Sequence, residues 1–261
     1  MSDTHAGSRY GLCSPDARLT DDDRGEYAPT LTPGQHWLWD TYMTAFEAVL
    51  SLAGKSRIDV IHNGDICQGA KHPEGNLSTR MADHLSIAAA NMAPWLADKR
   101  VKSLMLLTGT SAHDFGEGSA EIAVARTLGK QVRLCWHARI DVNGYVIDAA
   151  HHGPHPGIYE WTSGAVARRY LLNRVMKERY PRDLYLRSHY HEFIRETIYR
   201  PRRADIVITP SMQLPGAYVA QVTRQISEVY CGIVALEIID GRLAEVYPFG
   251  DEIDLTEKVT L

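Results

Sequence analysis

Four short apolar runs in this chain each end in a loop that carries Asp, Asn or His, and this repeated pattern constrains the fold more than any other feature. The runs are IDVIH, VKSLMLL, YVIDAA and DLYLR, and their length and aliphatic character predict buried β-strands. In α/β folds, ligands collect at the carboxyl ends of the strands. We therefore expect the polar loops that follow these runs to meet in one crevice.

Helix signals lie between the predicted strands. The segment LTPGQHWLWDTYMTAFEAVLSLAGK predicts a helix with Thr32 as its N-cap, Pro33 in its first turn and Gly54 as its C-terminal stop. Three further helices are predicted over about 79–99, about 118–129 and about 162–179, with a kink at Pro94.

Turn and composition signals complete the outline. Asn143-Gly144 and Asp240-Gly241 predict hairpin turns, and residues 6–31, rich in Gly, Pro, Asp and Ser, predict a long loop. Further strands are predicted at 131–136, 204–209, 229–238 and 242–248. Alternating strands and helices with a β-rich end predict an α/β sandwich, in which two sheets pack face to face and helices lie outside. No composition break marks a linker, so residues 1–261 are predicted to form a single domain.

The bulk composition excludes several classes of protein. The 28 basic and 32 acidic residues nearly balance, so no global field favours nucleic acid or an anionic membrane. The 4 cysteines are scattered without a CxxC pair, which is typical of reduced thiols and predicts a cytoplasmic protein. We find no signal peptide and no apolar run long enough to span a bilayer, and the sequence does not indicate an oligomeric state.

Metal-ligand chemistry is the main signal in the polar loops. The 12 histidines include several that fall, together with aspartates, in five short clusters. The clusters are Asp3-Thr4-His5, Gly64-Asp65, Gly109 to Asp114, His151-His152-Gly153 and His189-Tyr190-His191. Mixed imidazole and carboxylate ligands suit Mn, Fe, Zn or Co better than Ca or Mg, and a central carboxylate can bridge two ions. The combination predicts a metal site.

The order of these clusters resembles the calcineurin-like metallophosphoesterase superfamily, whose motifs run D-x-H, G-D, G-N-H-D/E, H-G and G-H-x-H. The resemblance implies a four-layer α/β/β/α sandwich, two divalent metal ions, and attack on phosphorus by a hydroxide that bridges the metals. It implies that the first metal is bound by Asp3, His5 and His191, the second by His152 and His189, and both by Asp65. His113 would be catalytic, next to the scissile phosphate. Adjacency makes Asn63, Asp114 and His151 candidate substrate-binding residues, and His72 and His155 could also touch the substrate.

Two motifs depart from the family pattern. The family's third motif supplies an Asn ligand to the second metal, but GTSAHD contains no Asn. The ligand could instead come from Thr110, Ser111 or Asp114, or His113 could itself have become the ligand. In the last motif Ser188 stands where the family usually has Gly.

The first motif lies unusually close to the start of the chain. Only Met1 and Ser2 precede Asp3, so the strand that normally carries an Asp-x-His pair is missing from the sequence. We expect the gene to encode that strand upstream of Met1. An in-frame stop directly before Met1 would contradict this expectation.

The predicted activity is that of a metal-dependent phosphoric ester hydrolase, most simply a phosphodiesterase. DNA, in a nuclease reaction, is one candidate substrate, and a small nucleotide or phosphoprotein is the other. The segments GTSAHD and TPSMQLPGAYVA are similar to phosphoesterases of tailed bacteriophages. The basic segment AVARRYLLNRVMKERYPRDLYLR could guide a polyanion, although a solvated helix face is its default interpretation. The alternative is a phosphoesterase fold that has lost activity and serves as a scaffold or binding protein.

Overall fold

We describe a computed structural model of the chain, which covers residues 1–23, 25–71, 73–114, 119–129, 132–155, 163–216 and 227–256. The helices in this part of the chain are α1 (Pro33–Ala53), α2 (Met81–Ala97), α3 (Ala120–Leu128) and α4 (Ser163–Lys177). The strands are β1 (Leu19–Asp21), β2 (Gly25–Tyr27), β3 (Ile58–His62), β4 (Val101–Leu107), β5 (Val132–Cys135), β6 (Ala138–Val142), β7 (Tyr145–Ala149), β8 (Leu184–Arg187), β9 (Ile194–Ile198), β10 (Ala204–Ile208), β11 (Glu228–Ile239) and β12 (Arg242–Asp254). None of these helices combines the length and the hydropathy needed to cross a bilayer.

Local sequence signals explain how several elements begin and end. The Thr32 hydroxyl accepts a hydrogen bond from the backbone N–H of Gln35, and the Gln35 side chain accepts one from the backbone N–H of Thr32, which completes a capping box at the start of α1. Gly54 ends this helix at a φ of 55°. The hairpin turn at Asn143-Gly144 has positive φ at both residues, as does the turn at Asp240-Gly241. These predictions are confirmed.

The described strands form two main sheets and two hairpins. Strands β3, β4 and β5 make a parallel three-stranded sheet, and a mixed five-stranded sheet has the order β6-β7-β8-β10-β9. Strands β11 and β12 pair as a long hairpin. Two details differ from the prediction. The segment 6–31, predicted as a loop, contains the short hairpin β1–β2. Strand β9 was not predicted, because its sequence IRETI is apolar only at its two ends and the charged residues between them hide the alternation typical of a strand.

Three clusters of buried apolar side chains relate the helices to the sheets. Helices α1, α2 and α3 share a cluster with one face of the three-stranded sheet, which includes Val60 and Leu104. The other face, with Ile61 and Met105, joins a cluster with β7, β8 and the β11–β12 hairpin. Helix α4 packs on the far face of the five-stranded sheet, against residues such as Tyr185. The α/β class is confirmed. The four-layer order of the sandwich stays a prediction, and the three clusters are arranged as that order requires.

The first six residues run alongside β3 and the loop that follows it. The Met1 amine donates to the Ile61 carbonyl, and the Met1 carbonyl accepts from the Asn63 N–H at 2.8 Å. Further along, the Asp3 N–H donates to the Gly64 carbonyl at 3.0 Å. On the other side, the Ser2 hydroxyl lies 2.8 Å from the Thr209 hydroxyl, directly after β10. The segment that carries Asp3 and His5 therefore lies between the carboxyl ends of β3 and β10, although it is not a regular strand.

Candidate metal centre

All five polar clusters meet in the structure. Three overlapping groups of side chains offer ligand atoms that lie within 4.8 Å of one another. The groups are Asp3 with His5 and His191, His5 with Asp65 and His113, and Asp65 with His151 and His189. Because the groups share His5 and Asp65, they form one continuous set of imidazole and carboxylate donors.

The first group surrounds the Asp3 carboxylate. Its Oδ1 lies 3.4 Å from His191 Nε2 and 4.0 Å from His5 Nε2. Asp3 and His5 are buried, whereas the His191 side chain is about one third exposed. Within this group, solvent therefore reaches His191 but not Asp3 or His5.

The other two groups share the Asp65 carboxylate, and we call Asp65 with His151 and His189 the second group. Asp65 Oδ2 lies 3.0 Å from His151 Nε2 and 4.0 Å from His189 Nδ1. The same oxygen lies 3.8 Å from His113 Nε2. The two groups are adjacent, since Asp3 Oδ1 lies 3.9 Å from His151 Nε2. A carboxylate in this central position is placed to contact ions on both sides.

The backbone at these residues is unusual. Asp3, His5, Asp65, His189 and His191 have φ angles of 49°, 43°, 53°, 80° and 61°. Residues other than glycine rarely adopt this left-handed backbone conformation, which costs about 1 kcal/mol or more for each residue. The other described non-glycine residues with positive φ, Asn143 and Asp240, lie in hairpin turns. Strain of this kind persists only where the surroundings overdetermine it, and here it coincides with the residues that the motifs singled out.

Two glycines allow the loops to approach one another. Gly64 has a φ of 95°, and a Cβ at this position would lie 2.4 Å from His151 Nδ1. A Cβ at Gly109 would lie 2.0 Å from Asp65 Oδ1. Any side chain at either position would displace a group of the centre.

Hydrogen bonds to the backbone orient two of the imidazoles. His151 Nδ1 donates to the Asn63 carbonyl at 2.7 Å, which directs its Nε2 toward Asp65. His113 Nδ1 donates to the Gln68 carbonyl at 2.7 Å, so its Nε2 also faces the centre. A metal-ligating imidazole usually donates its second nitrogen in this way, because the bond fixes both tautomer and ring orientation.

A chain of hydrogen bonds between buried polar groups connects the loops of the centre. The Asn63 side chain donates to the Ala150 carbonyl and to the Ser188 hydroxyl, the latter at 2.6 Å. The Ser188 hydroxyl lies 2.8 Å from that of Thr209, which in turn bonds Ser2. Ser188, where the resembled family usually has Gly, therefore ties together the loops that carry Asp3, Asp65, His151 and His189.

Sequence reasoning did not find Glu121, which lies on α3 beneath the second group. Its carboxylate is buried and accepts a hydrogen bond from the backbone N–H of Ile66, the residue after Asp65, at 3.2 Å. Ser119 donates to the same carboxylate. Burial raises the pKa of Glu121. The only advance signal was an acidic residue in the first turn of a predicted helix, which is a common feature of helix N-termini.

The electrostatics differ between the histidines. Burial lowers the pKa of His5 to about 3, so this imidazole is neutral at neutral pH. Burial also disfavours the charged form of His151, but the hydrogen bond to Asp65 and the charge of Asp3 outweigh it and raise the His151 pKa to about 9. Burial alone would raise the pKa of Asp65, yet the neighbouring His151 and His189 hold it well below its usual range. Both carboxylates of the centre are ionised, since His191 and His151 likewise outweigh burial and lower the pKa of Asp3.

The donor set fits divalent metal ions. Among the described residues, Asp3 Oδ1 and both ring nitrogens of His5 are buried without a hydrogen-bond partner. Buried polar atoms are normally paired, and leaving one unpaired costs about 1–3 kcal/mol. A cation that accepts their lone pairs would remove this cost, and imidazole with carboxylate is a donor set for first-row metals.

The structure places the remaining candidate residues around this centre. His152 is exposed and belongs to none of the groups in the described part of the chain, but its ring lies 4.6 Å from that of His189 and 5.1 Å from that of His151. Asn63 is fully buried behind His151, while Asp114 is partly buried at the end of a single 3₁₀ turn, Ser111–His113. His155 stacks edge-on against Tyr190. His72 lies outside the described residues.

Comparisons with known proteins do not identify a family. No family model matches the chain, and no curated protein matches it. Among solved structures, Vps29 from Entamoeba histolytica complexed with Zn²⁺ is similar over 58% of this chain and 82% of that chain, at 14% identity and a TM-score of 0.29. Vacuolar protein sorting 29 from Cryptosporidium parvum is similar over 76% of this chain and 98% of that chain, at 12% identity and a TM-score of 0.34. Likenesses of this strength carry no conclusion about activity, so function has to be argued from the site.

Proposed function

We propose that this chain is a phosphoric ester hydrolase that uses two divalent metal ions, Mn, Fe, Zn or Co, and acts on phosphodiesters. The observation that carries the proposal is the continuous donor set, in which groups around Asp3 and Asp65 are joined by shared residues. Two adjacent divalent ions, when bound, would neutralise the charge of a phosphate ester and lower the pKa of a water molecule to near 7.

The protein residues divide the work between the two groups. Asp3, His5 and His191 would hold one ion, and His151 and His189 would hold the other, with Asp65 between them. His152 remains a candidate for the second ion, because its ring lies 4.6 Å from that of His189. The backbone carbonyls of Asn63 and Gln68 orient the imidazoles of His151 and His113.

His113 is placed to act on the leaving group. Its Nδ1 is occupied by the Gln68 carbonyl, its Nε2 faces the centre, and its side chain is 18% exposed at the opening. In the protonated form Nε2 would donate a hydrogen bond, and then a proton, to the oxygen that leaves phosphorus. Asp114, the next residue, is partly buried at the end of the same 3₁₀ turn.

The substrate is proposed to be a phosphodiester of DNA or of a nucleotide. Helix α4 follows the loop of His151 and carries the exposed basic side chains Arg168, Arg169 and Lys177. A basic helix face attracts polyanions in a salt-dependent manner. This support is weaker than that for the metal centre, because a solvated helix face has the same composition.

A generic phosphodiesterase assay tests the proposal. The metal-free chain is supplied with Mn²⁺ and bis-p-nitrophenyl phosphate, and release of p-nitrophenol is followed. We expect turnover that depends on the metal and is lost in His113→Ala. His36→Ala is the matched control, because His36 lies on an exposed face of α1. Binding of metal without turnover of this or of a nucleic-acid substrate would favour the scaffold alternative, and absence of metal binding would overturn the proposal.

A further inference from the structure

The hydroxyl of Thr110 lies among the donors of the second group. Its Oγ1 is 3.2 Å from Asp65 Oδ2, 3.3 Å from His151 Nε2 and 3.2 Å from His189 Nδ1. Those three atoms come from three different loops. No other side chain among the described residues lies within hydrogen-bond distance of all three atoms, so the hydroxyl occupies a defined position in the group.

These distances match those between ligands of one metal ion. Ligand atoms that lie about 2.0–2.2 Å from a tetrahedral ion are about 3.3–3.6 Å apart, and octahedral neighbours are slightly closer. Asp65 Oδ2 lies 3.0 Å from His151 Nε2 and 4.0 Å from His189 Nδ1, so the spacing within the set is less regular than the spacing around the hydroxyl. Direct hydrogen bonding alone would not require one hydroxyl to be nearly equidistant from three partners.

Counting protons leads to the same result. A hydroxyl has one hydrogen and can donate to one partner only. In the neutral form of His151 the hydrogen is on Nδ1, bound to the Asn63 carbonyl, so Nε2 presents a lone pair to Thr110. The Asp65 oxygen also presents lone pairs. In that form several lone pairs face one another around the hydroxyl, and their repulsion is relieved either by a cation between them or by a proton on His151 Nε2, which lies 3.0 Å from Asp65 Oδ2.

The position of the hydroxyl is held by the backbone. The Thr110 N–H donates to Asp65 Oδ1 at 2.6 Å, and the absence of a side chain at Gly109 permits this approach. Thr110 is also the N-cap of the short 3₁₀ turn, but its side chain makes no capping hydrogen bond. The hydroxyl of a threonine in this position usually bonds to the following turn, and here it is directed at the metal-binding group instead.

We propose that the Thr110 hydroxyl is a protein ligand of the ion held by Asp65, His151 and His189. This inference rests on the proposed function, and it supplies the neutral oxygen donor that GTSAHD otherwise lacks. Thr110→Val removes the hydroxyl at nearly constant shape, Thr110→Ser retains it, and Ser111→Ala is the control at the adjacent, exposed hydroxyl.

Binding of Co²⁺ to the metal-free chain tests the inference, with calorimetry for affinity and visible absorption for coordination. We expect wild type to bind two ions, Thr110→Val to lose about tenfold to a hundredfold in the affinity of one step, and the absorption of that ion to change. Thr110→Ser and Ser111→Ala should behave as wild type. Thr110→Ala serves in the same way if the valine variant does not fold, as judged by circular dichroism.

Two results would overturn the inference. The valine variant could bind both ions with wild-type affinity, or it could bind one more weakly with an unchanged spectrum, which would make Thr110 a positioning residue. In either case wild-type metal-dependent hydrolysis of bis-p-nitrophenyl phosphate would leave the proposed function standing. A wild-type chain that binds no ion would remove both.

Discussion

The two halves of the candidate metal centre, around Asp3 and around Asp65, contain similar donors but differ in the hydrogen bonds that those donors make. Around Asp65 the polar atoms bond to one another, since His151, His189 and Thr110 all lie within reach of its carboxylate. Around Asp3 the carboxylate Oδ1 and both nitrogens of His5 have no hydrogen-bond partner in the described part of the chain. The buried imidazole of the second group, His151, has a raised pKa and can share a proton with Asp65, whereas the buried imidazole of the first group, His5, has a pKa lowered to about 3. The comparison teaches that identical ligand types can give one buried imidazole that a metal ion must deprotonate and one that is already neutral.

Removing the shared carboxylate should have the largest effect. Asp65 lies between the groups, so Asp65→Asn should weaken both ions and lower metal-dependent turnover by at least about a hundredfold, more than loss of an outer-shell partner costs. Calorimetry and the phosphodiesterase assay measure the two effects. Asp59→Asn, at an exposed residue of β3, is the control. If Asp65→Asn bound one ion normally, Asp65 would belong to a single group.

A methyl group at Gly109 should disrupt the second group, around Asp65, and leave the first group, around Asp3, in place. The added Cβ would lie 2.0 Å from Asp65 Oδ1, so Gly109→Ala must displace either the Asp65 loop or the Thr110 loop. We expect a loss of about 1–3 kcal/mol in the free energy of unfolding, which is typical of overpacking. Gly144→Ala is not a clean control because of its φ, whereas Ser111→Ala changes the same loop without steric conflict. Chemical denaturation gives the comparison, and an unchanged stability would show that the loops separate easily.

The stability of the metal-free chain should depend on pH in opposite ways for the two halves. Burial lowers the pKa of His5 and of His62 to about 3 in the folded chain. In the unfolded chain both histidines have the ordinary pKa near 6.5, so between pH 6.5 and pH 3 the unfolded chain binds protons that the folded chain does not. Stability from these groups is therefore fully present above pH 6.5 and is lost as the pH falls toward 3.

His151 has the reverse sign. Its pKa is raised to about 9, so its contribution is fully present below pH 6.5 and is lost as the pH rises through 9. Denaturation of the chelator-treated chain should show a maximum near pH 6.5, with a loss of about 1 kcal/mol for each histidine over the first pH unit below it. His62→Gln should flatten the acid limb only. A curve without an acid limb would contradict burial of neutral His5 and His62.

The smallest effect is a difference in how pH changes the affinity for metal. An ion in the second group must displace the proton of His151, so its affinity should rise with pH, by up to about tenfold per unit below pH 9. His5 in the first group is already neutral at pH 7, so it adds no such dependence there. Calorimetric titrations with Co²⁺ at about pH 6, 7 and 8 would measure how the affinity of each of the two metal-binding steps changes with pH. If the affinities of both steps changed equally with pH, the expected difference between the two groups would be wrong.

Much of the local structure could be read from the sequence because short-range chemistry determines it. The capping box at Thr32, the stop at Gly54 and the hairpin turns at Asn143-Gly144 and Asp240-Gly241 each depend on a few neighbouring residues. The hairpin β1–β2 and strand β9 could not be read in the same way. Their sequences are short and polar and lack the apolar pattern of a buried strand, although each pairs with a strand close to it in the chain.

By itself, the sequence determined the residue types and the order of the loops that supply the donors, since four of the five polar clusters directly follow an apolar run. Tertiary structure decided which atoms face one another. Whether His151 or His152 lies toward Asp65 depends on the backbone after β7 and on the Asn63 carbonyl that holds His151. The central position of the Thr110 hydroxyl and the support of Glu121 under Ile66 were settled in the same way. Distances between loops arise from the packing of two sheets, and no pattern within a single loop specifies them.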